Sequence, residues 1–389
     1  MTPVASATTL PLPNPPSIVT VAPAATSITL TWQENPQANG LPISFYEIYQ
    51  GATPGDMHEV ASTTSTTFTA TSLAPNTTYY FEIVASDTGH DPSPPCGLAA
   101  TTSAIPAAPV NVVAAANSAT QVTITWSETV PPNGLPISTY NVYRGTSPTG
   151  LALLTVRTAP LYIDTAVSAS TTYYYAIAAV DTGKDVSPLS ATAKVTTPAM
   201  PTAPVNVALT ANAATQVTIT WSENIPPHGL PIQFYNVYRG TSASGLSLLT
   251  ARTAPRYVDT AVSANTTYYY AIQAVDSGYE DSPMSATAQI TTPPMPAAPA
   301  NVVATANGPT AVTITWSETI PPNGLPIMFY NVYRGTSPTG LTKLTARTGL
   351  QYIDTAVSAD TTYYYAIVAV DSGNDNSPMS ATAQVSTPN

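Results

Sequence analysis

The four tryptophans of this 389-residue chain, Trp32, Trp126, Trp221 and Trp316, lie 94, 95 and 95 residues apart. A proline stands 17 residues before each of them: Pro15, Pro109, Pro204 and Pro299. A fixed period of this length means one structural unit repeated four times, each with a small core of its own. The chain therefore reads as an N-terminal arm, 1–14, followed by modules at 15–105, 106–200, 201–295 and 296–389. Modules two to four are close copies, since Tyr140-Asn-Val-Tyr-Arg-Gly-Thr146 recurs from Tyr235 and from Tyr330. Module one has drifted and reads Tyr46-Glu-Ile-Tyr-Gln-Gly51.

Within a module the apolar period is two, the signature of strands with one buried face. Val122-Thr-Ile-Thr-Trp126 alternates apolar residues with Thr, so Val122, Ile124 and Trp126 face the core. In Tyr140-Asn-Val-Tyr143 the inward pair is Tyr140 and Val142. In Thr172-Tyr-Tyr-Tyr-Ala-Ile-Ala-Ala179 it is Tyr173, Tyr175, Ile177 and Ala179 that share a face. Val110–Val113, Leu151–Val156, Tyr162–Thr165 and Ser190–Thr196 add shorter strands, the last reading as an edge. Forty prolines, and 23 tyrosines against 5 phenylalanines, fit strands joined by Pro-marked turns and disfavour long helices. The expectation is an all-β chain of two-sheet sandwiches with about seven strands per module.

This ordered set of residues resembles the fibronectin type III domain, especially its bacterial and phage-borne versions, over nearly everything after residue 14. The resemblance rests on the second-strand Trp, Pro131-Pro-Asn-Gly134 with Ile137, Tyr162-Ile-Asp-Thr165, and Thr171-Thr-Tyr173. Module one also carries Leu73-Ala-Pro-Asn-Thr-Thr-Tyr79, where modules two to four replace the Leu and Pro, as in Val167-Ser-Ala169. It implies four tandem immunoglobulin-like sandwiches. It also implies corner tyrosines at Tyr79, Tyr173, Tyr268 and Tyr363, each with its hydroxyl bonded to nearby backbone. The linkers, such as Thr196-Thr-Pro-Ala-Met-Pro-Thr-Ala-Pro204, carry two to four prolines each and favour extended polyproline II over a flexible tether. A stiff line of modules is the expectation, on the order of 120 to 150 Å long at the rise of a β-strand.

Charge and chemistry exclude several classes. Ten Lys+Arg against 21 Asp+Glu give a net charge of −11, which disfavours nucleic acid and anionic membrane surfaces. One cysteine, Cys96, leaves no intramolecular disulfide, and three scattered histidines leave no histidine-based metal centre. No apolar run of about 18 residues is present to span a bilayer, so no membrane insertion is expected. Useful catalytic groups are either turn residues common to all modules or singlets without a partner, so no catalytic residues and no cofactor are expected.

Two constellations remain as candidate sites. The first is acidic: Asp181 and Asp185, Asp276, and Asp371 and Asp375 sit in an Asp-x-Gly loop, which the resemblance places at the same pole as Glu128, Glu223 and Glu318, two residues past each Trp. That pole faces the preceding module. Such oxygens suit Ca²⁺, whereas the plain alternative is turn chemistry, with Asp tolerating the tight turn and Gly supplying a positive φ. The second is an outward strip of tyrosines, Tyr143 and Tyr174, Tyr238 and Tyr269, Tyr333 and Tyr364. It reads either as a face that stacks on sugar rings or packs on protein, or as cross-strand pairing that stabilises the sheet. Arg144, Arg239 and Arg334, and Arg157, Arg252 and Arg347, are expected to pair with local carboxylates at the surface, with about 0 to 1 kcal/mol at stake.

A non-enzymatic structural or binding rod is the functional expectation. An initial Met without an export signal points to a bacteriophage virion component, a fibre, decoration or tail-associated protein, found on the virion and extracellular after lysis. Its expected partners are other virion or surface structural proteins, itself, and cell-surface glycans, and the arm 1–14 either docks on a scaffold or frays. The alternatives are an adhesin or matrix protein at the bacterial surface, or accessory modules of a secreted polysaccharide-degrading enzyme.

Overall fold

The computed structural model describes residues 8–389, and among them every regular element is a strand. Residues 1–7 of the arm lie outside the described residues; of the remainder, Pro13 is buried. In module one the strands are β1 (Ser17–Pro23), β2 (Ile28–Gln33), β3 (Ile43–Gly51), β4 (His58–Thr63), β5 (Thr67–Ala70), β6 (Thr78–Asp87) and β7 (Cys96–Thr101). They form two antiparallel sheets, ordered β1-β2-β5 and β4-β3-β6-β7. Module two repeats the design with β8 (Val110–Ser118), β9 (Gln121–Ser127), β10 (Ile137–Gly145), β11 (Ala152–Arg157), β12 (Leu161–Asp164), β13 (Thr172–Asp181) and β14 (Ala193–Thr196). Its sheets are β12-β9-β8 and β11-β10-β13-β14. Modules three and four follow strand for strand, from Val205–Ala213 to Ala288–Thr291 and from Ala300–Gly308 to Ala383–Ser386.

Each module has its own apolar core between its sheets. The alternation along β9, β10 and β13 sends Val122, Ile124, Trp126, Tyr140, Val142, Tyr173, Tyr175 and Ile177 inward, and all are buried. Each such side chain contributes about 1.5 to 3 kcal/mol on removal from water. Trp126 meets Tyr140 edge to face at 5.3 Å, and the other three modules keep the same pair at 5.4 Å. The corner tyrosines hold as expected. The N–H of Ala74 donates to the Tyr79 hydroxyl at 2.9 Å, as do those of Ser168 to Tyr173 and Ser263 to Tyr268, and Ser358 does so to Tyr363 at 3.0 Å.

The closing edge differs from the sequence expectation. β14 begins at Ala193 rather than Ser190, because two serines do the pairing before it. Ser187 and Ser190 donate their N–H groups to the carbonyls of Ala179 and Ile177, and their hydroxyls accept from the same residues' N–H groups at 2.9 and 3.0 Å. A side-chain oxygen thus stands where a neighbouring strand's carbonyl would be, so the edge of β13 is satisfied without a long final strand. Ser282 with Ser285 and Ser377 with Ser380 repeat the device.

The chain divides into two compact units, the first ending at Thr197 and the second running from Pro198. Each holds two sandwiches.

Candidate interaction surface

The expected tyrosine strip is formed. β10 and β13 pair so that Tyr143 lies opposite Ala176 and Gly145 opposite Tyr174, which puts both rings on the outer face of the four-stranded sheet, flanking a small residue. Tyr143 also lies opposite Leu153 on β11, itself exposed. The pairs Tyr238 and Tyr269, and Tyr333 and Tyr364, occupy the same register, and all six rings are half-buried. Half-buried tyrosines on the outer face of one sheet give an amphipathic aromatic patch, repeated in three modules. The sequence reading left out its module-one counterpart, Tyr49 and Tyr80. The shared Tyr before the Gln-Gly or Arg-Gly pair was the signal for it. There Glu47, Glu59 and Glu82 surround Tyr49, and burial, then these carboxylates, push its phenol above the ordinary value.

The acidic loop has a different inner construction from that expected. The Asp181 side chain is fully buried, and its Oδ1 accepts from the N–H of Asp185 at 2.9 Å. Asp276 and Asp371 each hold two such N–H groups, of Gly278 and Glu280 and of Gly373 and Asp375. Oδ2 of Asp181, Asp276 and Asp371 is buried without a hydrogen-bond partner among the described residues. Burial raises the Asp371 carboxyl above the ordinary carboxylate value, although the two N–H groups act the other way. Positive φ falls not on the glycine but on the residue after it, Lys184 at 71° and Asn374 at 62°. At Gly183 a Cβ would stand 2.8 Å from Leu135 Cδ1, the movable end of a side chain.

The glutamates after Trp126, Trp221 and Trp316 accept from strand tyrosines instead. Glu128 and Glu318 accept from the hydroxyls of Tyr140 and Tyr330, and Glu223 from Tyr235 at 2.7 Å. The eight acids weighed for Ca²⁺ are therefore divided between two tasks, and among the described residues no group of three His, Cys, Asp or Glu is gathered as a metal site.

The arginines correct a second expectation. Arg144 reaches inward and pairs with Asp164 at 2.7 Å, the carboxylate being wholly buried and the Arg side chain 24% exposed. The same Oδ2 accepts from the Tyr175 hydroxyl at 2.8 Å, Oδ1 accepts from the N–H of Ala166, and the guanidinium lies 5.3 Å from the Tyr173 ring. Burial, then the hydrogen bond to Asp164, pushes the Tyr175 phenol well above its ordinary value, so it stays a donor. Arg239 with Asp259 and Tyr270, and Arg334 with Asp354 and Tyr365, are copies. Arg157, Arg252 and Arg347 lie over Tyr162, Tyr257 and Tyr352 at 5.1, 4.7 and 4.8 Å, as cation–π contacts.

Comparison with known proteins gives a family match and a set of relatives. Residues 14–96 match the family model of the fibronectin type III domain. Exoglucanase B of Cellulomonas fimi is 33% identical over 295 residues, which is 72% of this chain and 26% of that protein. Endoglucanase B of Cellulomonas fimi is 29% identical over 71% of this chain and 27% of that protein. Chitinase A1 of Niallia circulans is 28% identical over 53% of this chain and 28% of its own length. The chain thus spans about a quarter of the length of these relatives.

Proposed function

Because the chain is a tandem array of fibronectin type III modules, we propose that it is a non-catalytic accessory array for chemistry on polysaccharides, spacing its neighbours and making weak sugar contacts through its tyrosine faces. The observation that carries this is the set of relatives. Three proteins named for action on glucans or chitin share this segment over about a quarter of their length, as an accessory portion does. The site chemistry supports it: half-buried tyrosine rings on an outer sheet face suit the apolar face of a pyranose, and repetition multiplies weak contacts through effective concentration. Insoluble polysaccharide lies outside cells, so the place of action is extracellular. This reading is preferred to a virion component because the bacterial relatives reported above are named for action on glucans or chitin.

The test is cosedimentation of the intact chain with insoluble cellulose and with chitin, together with a reducing-end assay. Retention on at least one polymer with no release of reducing ends is the expected outcome. Release of sugar that a single substitution abolishes, or no retention on either polymer, overturns the proposal.

A further inference from the structure

Within each unit, the acidic loop of the second module grips the first. In the first unit, Oδ2 of Asp185 accepts from the backbone N–H of Ala25, 160 residues earlier, at 3.0 Å. Ala25 lies in the turn between β1 and β2. In the second unit, Asp375 accepts in the same way from the N–H of Ala214, the residue at the same place in the turn of module three. Both donors are completely buried. Gly373 completes the approach, since a Cβ there would stand 2.8 Å from Ala213 Cα. Each acid is poised for this by its loop, whose opening aspartate binds its N–H.

The donor place is seven residues before each Trp, and in module four Pro309 holds it. Proline has no N–H to give. That turn is exposed. At the other end, module one carries a complete acceptor. Asp87 Oδ1 accepts from the N–H groups of Gly89 and Asp91 at 2.8 and 3.1 Å, reproducing the gripping loops, and Asp91 is exposed. The segment before module one also has linker form: one residue out of the Trp-based spacing, Leu12-Pro13-Asn14-Pro15-Pro16 matches Ile105-Pro106-Ala107-Ala108-Pro109 in its apolar residue and its first and last prolines. Pro13 and Pro16 are buried like Pro106 and Pro109.

We propose that the Asp87–Asp91 loop of module one is a docking site for the first turn of another fibronectin type III module, taking the backbone N–H seven residues before that module's Trp, and that Pro309 bars module four from serving as the donor. The occupant is defined by its chemistry: an uncovered turn amide on a second sandwich held in tandem by a segment like Leu12–Pro16. Coupling along such an array has a direction, from the acid of one module to the amide of the module before it.

Two chains extended at the front test this, one by a copy of module three and the other by a copy of module four, each joined through residues 9–16. Hydrogen exchange is then followed in the Thr88–Asp91 loop, whose sequence is unique in the chain. The module-three copy is expected to slow exchange there about tenfold, the scale of one charge-assisted hydrogen bond, and Asp91→Asn to abolish the effect. The module-four copy is expected to leave exchange as in the unextended chain. Equal protection by both copies, protection by neither, or protection that survives Asp91→Asn overturns the proposal. Both added modules are native sequences of the same fold, so a difference between them reports the turn.

Discussion

Module one and modules two to four build the same sandwich around different interiors. Where module two joins the part-exposed Arg144 to the buried Asp164 and Tyr175 as a bonded set, module one has Gln50, Ala70 and Phe81 at the same register, with Ala70 and Phe81 in its apolar core. The polar set is therefore dispensable for the fold, but only as a whole. A buried pair gains little over well-packed apolar residues because desolvation offsets the attraction, yet loss of one member strands the others. Module one is in effect the triple substitution of its neighbours.

Breaking the polar set singly should have the largest effect. Asp164→Ala is expected to destabilise module two by about 3 kcal/mol, the low end for a broken buried pair, because Arg144 keeps part of its surface in water. Denaturant unfolding resolved by hydrogen exchange in each module measures this. The combined change Arg144→Gln, Asp164→Ala and Tyr175→Phe should recover most of the loss. A triple variant as unstable as the single one would break the comparison.

The edge serines sharpen it at a smaller scale. Ser285→Ala leaves the buried N–H of Ile272 without an acceptor and should cost about 1 to 3 kcal/mol by the same measurement. Module one has Cys96 at this place, where a longer β7 already pairs with Ile83. Cys96→Ala should therefore change stability by less than about 0.5 kcal/mol.

The smallest effect concerns pH. The folded-state value of Asp371 is raised above its ordinary 3.8, so the folded module holds this proton more tightly than the unfolded chain does. Its contribution to stability is fully present below 3.8 and is lost as pH rises through the raised value. Asp371→Asn should flatten that part of the stability profile of module four, as followed by thermal unfolding across mildly acidic pH. An unchanged slope would show that Asp371 does not carry it.

Strand positions, the Trp–Tyr core and the corner tyrosines were legible in the sequence because each depends on local alternation or on a fixed spacing within one strand and its corner. The arginines were not. Arg144 precedes a Gly near the end of a strand, which reads as surface, while its partner Asp164 lies 20 residues away on the opposite sheet. The serine pairing was equally hidden, since a Ser-Pro-x-Ser run reads as a loop until the neighbouring strand supplies N–H groups to bind. The loop acids were read to the correct pole, but their partner is a backbone amide, which leaves no mark in the sequence except where proline removes it, as at Pro309. The tyrosine strip was legible through its period of two, but its meaning lies in what it contacts.

That contact is where the functional account is most exposed. The direct measurement is the half-saturation of the intact chain on insoluble cellulose and chitin, compared between the variant Tyr174→Ser, Tyr269→Ser, Tyr364→Ser and the variant Tyr49→Ser, Tyr80→Ser, with folding of each checked by hydrogen exchange. Three repeated faces should dominate through effective concentration, so the triple variant is predicted to weaken retention at least about tenfold and the module-one variant to weaken it less. Retention by the folded triple variant equal to that of the native chain would contradict the account.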